Sequence, residues 1–287
     1  MPEGDSVHRL AARLRRAADG RTVLEGELRS GDAAGTSLAG LRILEHDTHG
    51  KHLLTRFSGG TTLHTHLRMQ GSWTVTAPGR AVPRSVQKDV RVRLRLDDDS
   101  TVWGIDLPVV ELIATRDEPR AVGHLGPDPL RADWDADEAV RRLSRLPDRP
   151  VVAALLDQRC LAGLGNLWAN EVCFLRGVWP WRPIGSLDVR ALVATAARGL
   201  RASVTIPGMF QTTTGDTRRG ERHWVAGRAG RPCLRCGTTV LVRDEVRDDP
   251  EQRRTWWCPH CQPEQAAAPR ARVPPPEARV PLPTARA

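Results

Sequence analysis

The 287-residue chain is long enough for two domains with real cores, and its 40% apolar content includes no run that would span a bilayer. Its start lacks a basic stretch followed by an apolar core, so no secretory signal is expected and the expected compartment is the cytosol. The net charge of +9 favours an anionic partner and is compatible with nucleic acid without demanding it.

The first element reads as a helix: Val7, Leu10, Ala11, Leu14 and Ala18 follow helical spacing, and Gly20 supplies the stop. Short β segments follow near 21–28, 41–46, 51–57, 61–67, 72–76 and 101–114. The clearest has Val90, Val92, Leu94 and Leu96 alternating with Arg91, Arg93 and Arg95 before the turn Asp97–Ser100. Many short strands at this spacing predict a sandwich or flattened barrel.

Beyond about residue 116 the pattern becomes helical. Asp135 with Glu138 reads as a capping box for a helix through Leu146. Pro150 opens a second helix, Val151 to Arg159, and the turns of GLGN lead into a third from Asn166 to Arg176. A fourth is expected from Ser186, as N-cap, to about Val204, with a loop over 206–228. The Pro/Ala/Arg-rich stretch 264–287 is expected to be disordered.

Six cysteines in a chain expected to be cytosolic argue against a disulfide framework. Cys160 and Cys173 lie in apolar helical context and read as core. Cys233-x2-Cys236 and Cys258-x2-Cys261 form two knuckles, the pattern of one closed, structural Zn²⁺ site that holds shape and performs no chemistry. The nine histidines make no metal-ligand spacing and read as core or surface residues.

The opening MPEGD has an ordinary reading, since proline and acids suit any first helical turn. It also has a chemical one. With Met1 removed, Pro2 presents a secondary amine that can attack a sugar C1′ and form an iminium, and Glu3 can protonate the leaving group. Only Lys51 and Lys88 of the 43 basic residues are lysines, so Lys51 calls for a reason.

MPEGDSVHRL, GKHLL at 50–54, LLDQRCLAGLGNLWANE at 155–171 and the terminal RTWWCPHCQ together resemble the formamidopyrimidine-DNA glycosylase/endonuclease VIII family over roughly 2–262. The PEGD opening resembles the endonuclease VIII branch. This resemblance implies a multidomain α+β fold. Its parts would be a catalytic β-sandwich with a leading helix (1–115), a hinge (116–135), a helix–two-turns–helix DNA-binding unit with its loop (136–228) and a four-cysteine zinc finger (229–263).

The resemblance also implies roles. Pro2 matches the Schiff-base nucleophile, Glu3 the general acid, and Lys51 the β-hairpin lysine that contacts phosphate and assists the lyase steps. Asn166 matches the phosphate-binding asparagine, and Glu171 an acid expected near the proline amine. Arg253 matches the zinc-finger arginine, with Arg254 competing for the same task. Arg68, Met69 and Gln70 match the loop that fills the space of a flipped-out base. Arg159 stands where many relatives carry lysine and keeps the means to contact phosphate. Asp5, a supporting acid, replaces a longer one found in some relatives.

The activity implied is removal of oxidised bases, pyrimidines by the branch, followed by β/δ-elimination on damaged duplex or open DNA by a monomer. The rival readings are a non-catalytic DNA-binding protein of the same fold and a zinc-ribbon RNA or translation factor.

Overall fold

The computed structural model describes residues 2–206, 211–246 and 252–264. Helix α1 (Gly4–Ala18) leads into eight strands: β1 (Val23–Leu28), β2 (Ile43–His49), β3 (His52–Phe57), β4 (Thr61–His66), β5 (Ser72–Thr76), β6 (Val90–Leu96), β7 (Thr101–Ile105) and β8 (Val109–Ala114). They form two antiparallel four-stranded sheets, ordered β1-β6-β7-β5 and β2-β3-β4-β8. In β6 the apolar residues are buried and the arginines face outward, where Arg93 and Arg95 reach Glu25 of β1 at 3.0 and 2.7 Å. The expected segment 101–114 is two strands rather than one. The chain turns at Asp106 (φ 49°) and passes from the first sheet to the edge of the second.

The apolar stripe of α1 (Val7, Leu10, Ala11, Leu14, Ala18) closes the sandwich core with Leu28, Ile43, Leu53, Phe57, Leu63 and Leu94. Each fully buried leucine contributes about 2 kcal/mol of transfer free energy.

A second core belongs to the helical part. Helix α2 (Glu118–Val122) lies inside the stretch expected as a hinge. Helix α3 (Ala136–Leu143) is capped by Asp135, whose carboxylate accepts Glu138 N–H at 2.9 Å. It ends three residues before the expected Leu146, ahead of Pro147. Helix α4 (Val151–Leu156) stops short of Arg159 because Asp157 turns extended and accepts the Arg159 N–H.

Helix α5 (Asn166–Leu175) ends one residue earlier than predicted, before Gly177 (φ 65°). Helix α6 (Val189–Thr205) is capped by Asp188 and not by Ser186, which sits in a 3₁₀ turn. A carboxylate one residue before the first helical turn reaches the Ala191 N–H at 2.9 Å, so it takes the capping role from the serine. Trp168, fully buried, centres this core with Leu155, Leu164, Leu192 and Leu200, and both Cys160 and Cys173 lie in it.

The chain ends in a ribbon of β9 (Leu241–Arg243) and β10 (Thr255–Trp257), whose small core joins Val225, Val240, Cys233 and Cys258 to Phe174 of α5. The expected tail lies outside the described residues beyond Glu264. Among the described residues, no helix is long and apolar enough to cross a membrane.

Candidate functional site

The start of α1 is driven into the turn before α5. Glu3, 1% exposed, places its carboxylate over the helix N-terminus and accepts the N–H groups of Gly165 (2.8 Å), Leu167 (2.8 Å) and Trp168 (3.2 Å). Gly4 N–H donates to Gly163 O at 2.8 Å. These approaches explain GLGN, since a Cβ on Gly165 would lie 2.5 Å from Glu3 Cδ. The anion site that the helix N-terminus offers is therefore filled from within the protein.

Burial pushes the Glu3 carboxyl up to about 7, with Lys51 pulling it down and Asp5 pushing it further up. Lys51, half-buried at the β2–β3 turn, is lowered from its usual range by burial, and the neighbouring Glu3 opposes that shift. The positive charge of Arg253 lowers the pKa of the Lys51 ammonium further. Pro2 is half-buried immediately before Glu3.

The Lys51 turn is held by its neighbours. Gly50 (φ 58°) packs within 3.3 Å of where its Cβ would meet Ala162 and Gly163, and its N–H donates to Asp128 Oδ2 at 2.7 Å. Asp128, 2% exposed, also accepts Leu130 N–H at 2.8 Å, and burial raises its pKa.

Asn166 Nδ2 donates to Arg254 O at 2.8 Å, and Asn170 Oδ1 accepts Trp256 N–H at 2.8 Å, so one face of α5 carries the ribbon. Arg254 pairs with Asp244 at 3.0 Å. Among the described residues Arg253 makes no ion pair.

Arg68 (φ 45°), Met69 and Gln70 are exposed at the β4–β5 turn, and Met69, at 65%, is the most exposed of the large apolar side chains described. Arg159 is exposed and doubly bonded to Asp157 at 2.8 and 3.0 Å. Glu171, the acid expected near the proline amine, is fully buried on α5. Its buried carboxylate accepts Thr213 Oγ1 and the N–H groups of Trp224, Val225 and Ala226, each N–H at 2.8 Å. Every one of these bonds fastens segment 213–226. Asp5 is fully buried on α1 and bonds to Ser203 and Gln211.

The histidines do not stay apart. Strand register sets His52 opposite His66, and alternation adds His64 on the same face. Glu111 Oε2 faces His64 Nδ1 at 2.8 Å, and His64 Nε2 faces His52 Nδ1 at 2.8 Å. Arg68 N–H donates to His66 Nδ1 at 2.9 Å. Burial pushes His52 down to about 3 and His66 down to about 4, helped by the surrounding imidazoles and, at His66, by Lys51. Asn170, one helical turn from Asn166, was detectable as an i, i+4 pair. Asp128 and the histidine cluster required strand register and tertiary contacts that spacing does not give.

The Sγ atoms of Cys233, Cys236, Cys258 and Cys261 all lie within 4.8 Å of one another, and Cys236 is 3.5 Å from both Cys258 and Cys261. Four thiolates about 2.3 Å from a common centre would stand about 3.8 Å apart, so the set fits a tetrahedral metal ion.

A sandwich and a helical unit that close over a buried carboxyl, a lysine turn and a thiolate ribbon define a class of two-part DNA-repair glycosylases. The N-terminal domain model of formamidopyrimidine-DNA glycosylase matches residues 1–107, and the H2TH domain model of that enzyme matches 125–213. The chain belongs to the formamidopyrimidine-DNA glycosylase/endonuclease VIII family, in its endonuclease VIII branch.

It is 46% identical to "Probable endonuclease 8 2" of Streptomyces coelicolor, over 95% of this chain and 98% of that one. It is 40% identical to "DNA-(apurinic or apyrimidinic site) lyase Nei2" of Mycolicibacterium smegmatis, over 91% and 99%. The crystal structure of MutM (Fpg) from Thermus thermophilus aligns at TM-score 0.71 and 30% identity, over 91% of this chain and 98% of that one. A Lactococcus lactis Fpg bound to abasic-site DNA shares the fold at TM-score 0.75 and 24% identity, over 91% and 99%.

Proposed function

We propose that the chain removes oxidised bases, pyrimidines by its branch, and then cuts the abasic site through a covalent intermediate on Pro2. Its family makes it a DNA glycosylase/AP lyase of base excision repair that acts on damaged DNA. The observation that carries the finer reading is the Glu3 carboxyl, buried on the α5 N-terminus and raised to about 7, one residue from the proline. A carboxyl with that pKa is half protonated near neutral pH, where a general acid is most effective.

The processed Pro2 amine attacks C1′ while the glycosidic bond breaks, and Glu3 gives its proton to the departing base. The attached nitrogen loses its proton, the C1′–O4′ bond opens with O4′ taking up a proton, and the resulting iminium withdraws electrons from C2′, whose proton is lost as the 3′ C–O bond breaks. A second elimination releases the 5′ phosphate. Lys51 and Arg253 are assigned to the flanking phosphates, with Asn166 and Arg159 on the helical side. The exposed Met69, between Arg68 and Gln70, is the wedge that takes the place of the flipped nucleotide. The metal is assigned as one structural Zn²⁺, which shapes the ribbon and orients Arg253.

Borohydride trapping on abasic DNA tests the reading. A covalent adduct with the processed protein and none with Pro2→Gly supports it. Tight binding without an adduct would instead favour a non-catalytic DNA-binding protein.

A further inference from the structure

Asp5 is fully buried two residues beyond Glu3, yet the mechanism above assigns it no step. Its oxygens accept Ser6 N–H at 2.8 Å, Ser203 Oγ at 2.6 Å and Gln211 Nε2 at 2.8 Å. Arg9, one turn along α1, stands 3.8 Å away and sends its own hydrogen bonds to Ser203 O and Oγ at 2.7 and 3.1 Å. A carboxylate that served only to stabilise α1 would be satisfied by the i, i+4 arginine. Beside a long local bond from Ser6 Oγ at 3.5 Å, its two short side-chain hydrogen bonds cross to α6 and to Gln211 beyond it.

The first turn of α1 is thus tied to the helical part on two sides. Gly4 N–H and the Glu3 carboxylate bind the Gly163–Trp168 stretch, and Asp5 binds Ser203 and Gln211. The apolar stripe seats α1 on the sandwich, and the bonds of Asp5 add a second polar anchor between its first turn and the helical part.

Resting on the function proposed above, we infer that Asp5, with Ser203 and Gln211, is the positioning group of the nucleophile and its acid. It fixes the first turn of α1 so that Pro2 meets C1′, and its negative charge helps hold the proton on Glu3. The charges facing Glu3 are Lys51 from the β2–β3 turn, with Arg253 behind it, and Asp5 from α1. Asp5 opposes Lys51. Through Gln211, the same clamp links the active centre to segment 211–226, which Glu171 holds at its other end.

The test separates clamp from charge. Asp5→Ala removes both, whereas Asp5→Asn keeps an acceptor for Gln211 and a polar partner for Ser203. Single-turnover trapping on abasic DNA is expected to slow about 30-fold in Asp5→Ala and to recover partly in Asp5→Asn, because small misplacements at a reacting centre are costly. In Asp5→Asn the alkaline limb of base release moves to lower pH.

The double variant Ser203→Ala/Gln211→Ala lowers kcat several-fold at unchanged KM, and it supplies the test if Asp5→Ala does not fold. Wild-type trapping rates in Asp5→Ala, or equal losses in both Asp5 variants with an unmoved pH profile, overturn the inference. If wild type forms no adduct, the functional reading fails before any Asp5 variant is compared. An adduct that depends on Pro2 leaves that reading standing and puts only Asp5 at issue.

Discussion

The Glu3 carboxyl group occupies the volume that a side chain on Gly165 would need, with a Cβ there falling 2.5 Å from both Glu3 Cδ and Oε1. Three N–H groups hold the carboxylate, so it has no easy retreat. Gly165→Ala is expected to lower base release about 100-fold, the scale of a lost general acid, while abasic-DNA affinity changes only a few-fold. Single-turnover kinetics beside a binding titration check this, and undiminished base release would show that the cradle is dispensable.

A carboxyl raised to about 7 donates its proton below that pH and lacks it above. Base release is therefore expected to fall about tenfold per pH unit above 7, and to fall again on the acid side as the Pro2 amine takes up a proton. Because Lys51 draws the Glu3 pKa downward, Lys51→Met should carry the limb to higher pH. A limb near 4.5 in the wild type, the ordinary value, would remove Glu3 from the acid role.

The histidine cluster predicts acid sensitivity. His52 and His66 bind protons less readily folded than unfolded, at about 3 and about 4 against 6.5. Below pH 6.5 the unfolded chain takes up the proton first, so stability is lost progressively as pH falls towards 4. At pH 5 one such group costs at most about 2 kcal/mol, and less where solvent reaches the ring. Urea unfolding at pH 7.5 and 5 should show the loss, and His52→Gln should reduce it. Equal pH dependence in both proteins would place its source elsewhere.

Metal removal should disconnect the ribbon. Elemental analysis is expected to find one zinc per chain, absent in Cys236→Ser. Without it, the bonds from Asn166 and Asn170 to residues 254–256 have no fixed partner, and abasic-DNA affinity should fall at least about tenfold. The circular dichroism of the sandwich should persist. Metal-free protein that binds as tightly as the holoprotein would deny the ribbon a part in the interface.

The asparagine pair makes a narrower prediction. Asn170→Ala leaves Trp256 N–H without its acceptor and should cost about 1–3 kcal/mol, read as a lower melting temperature. It should also weaken abasic-DNA binding through displacement of Arg253. A normal melting temperature with normal binding would mean that the ribbon is held by its apolar core alone.

Strand and helix identity was legible wherever a period dominated, as in the Val/Arg alternation of β6 and the stripe of α1. Boundaries were less so, because they depend on single side chains: Asp157 ends α4, and Asp188 displaces Ser186 as the cap of α6. The site divides in the same way. Motifs marked Pro2, Glu3, Lys51, Asn166 and the cysteines, all of which lie in short contiguous patterns. Asp128, Asn170 and the histidine cluster went unmarked. Asp128 and the histidines acquire their partners through tertiary contacts and strand register, which local spacing does not record, and Asn170, though an i, i+4 pair with Asn166, acquires Trp256 the same way.

Glu3 and Gly165 are separated by 162 residues of chain. Contacts closing so long a loop form late, after the sandwich and helical cores have each condensed. A nascent or partly unfolded copy therefore has no cradle for the acid and no fixed seat for the amine. The capacity to sever DNA arrives only with the completed fold.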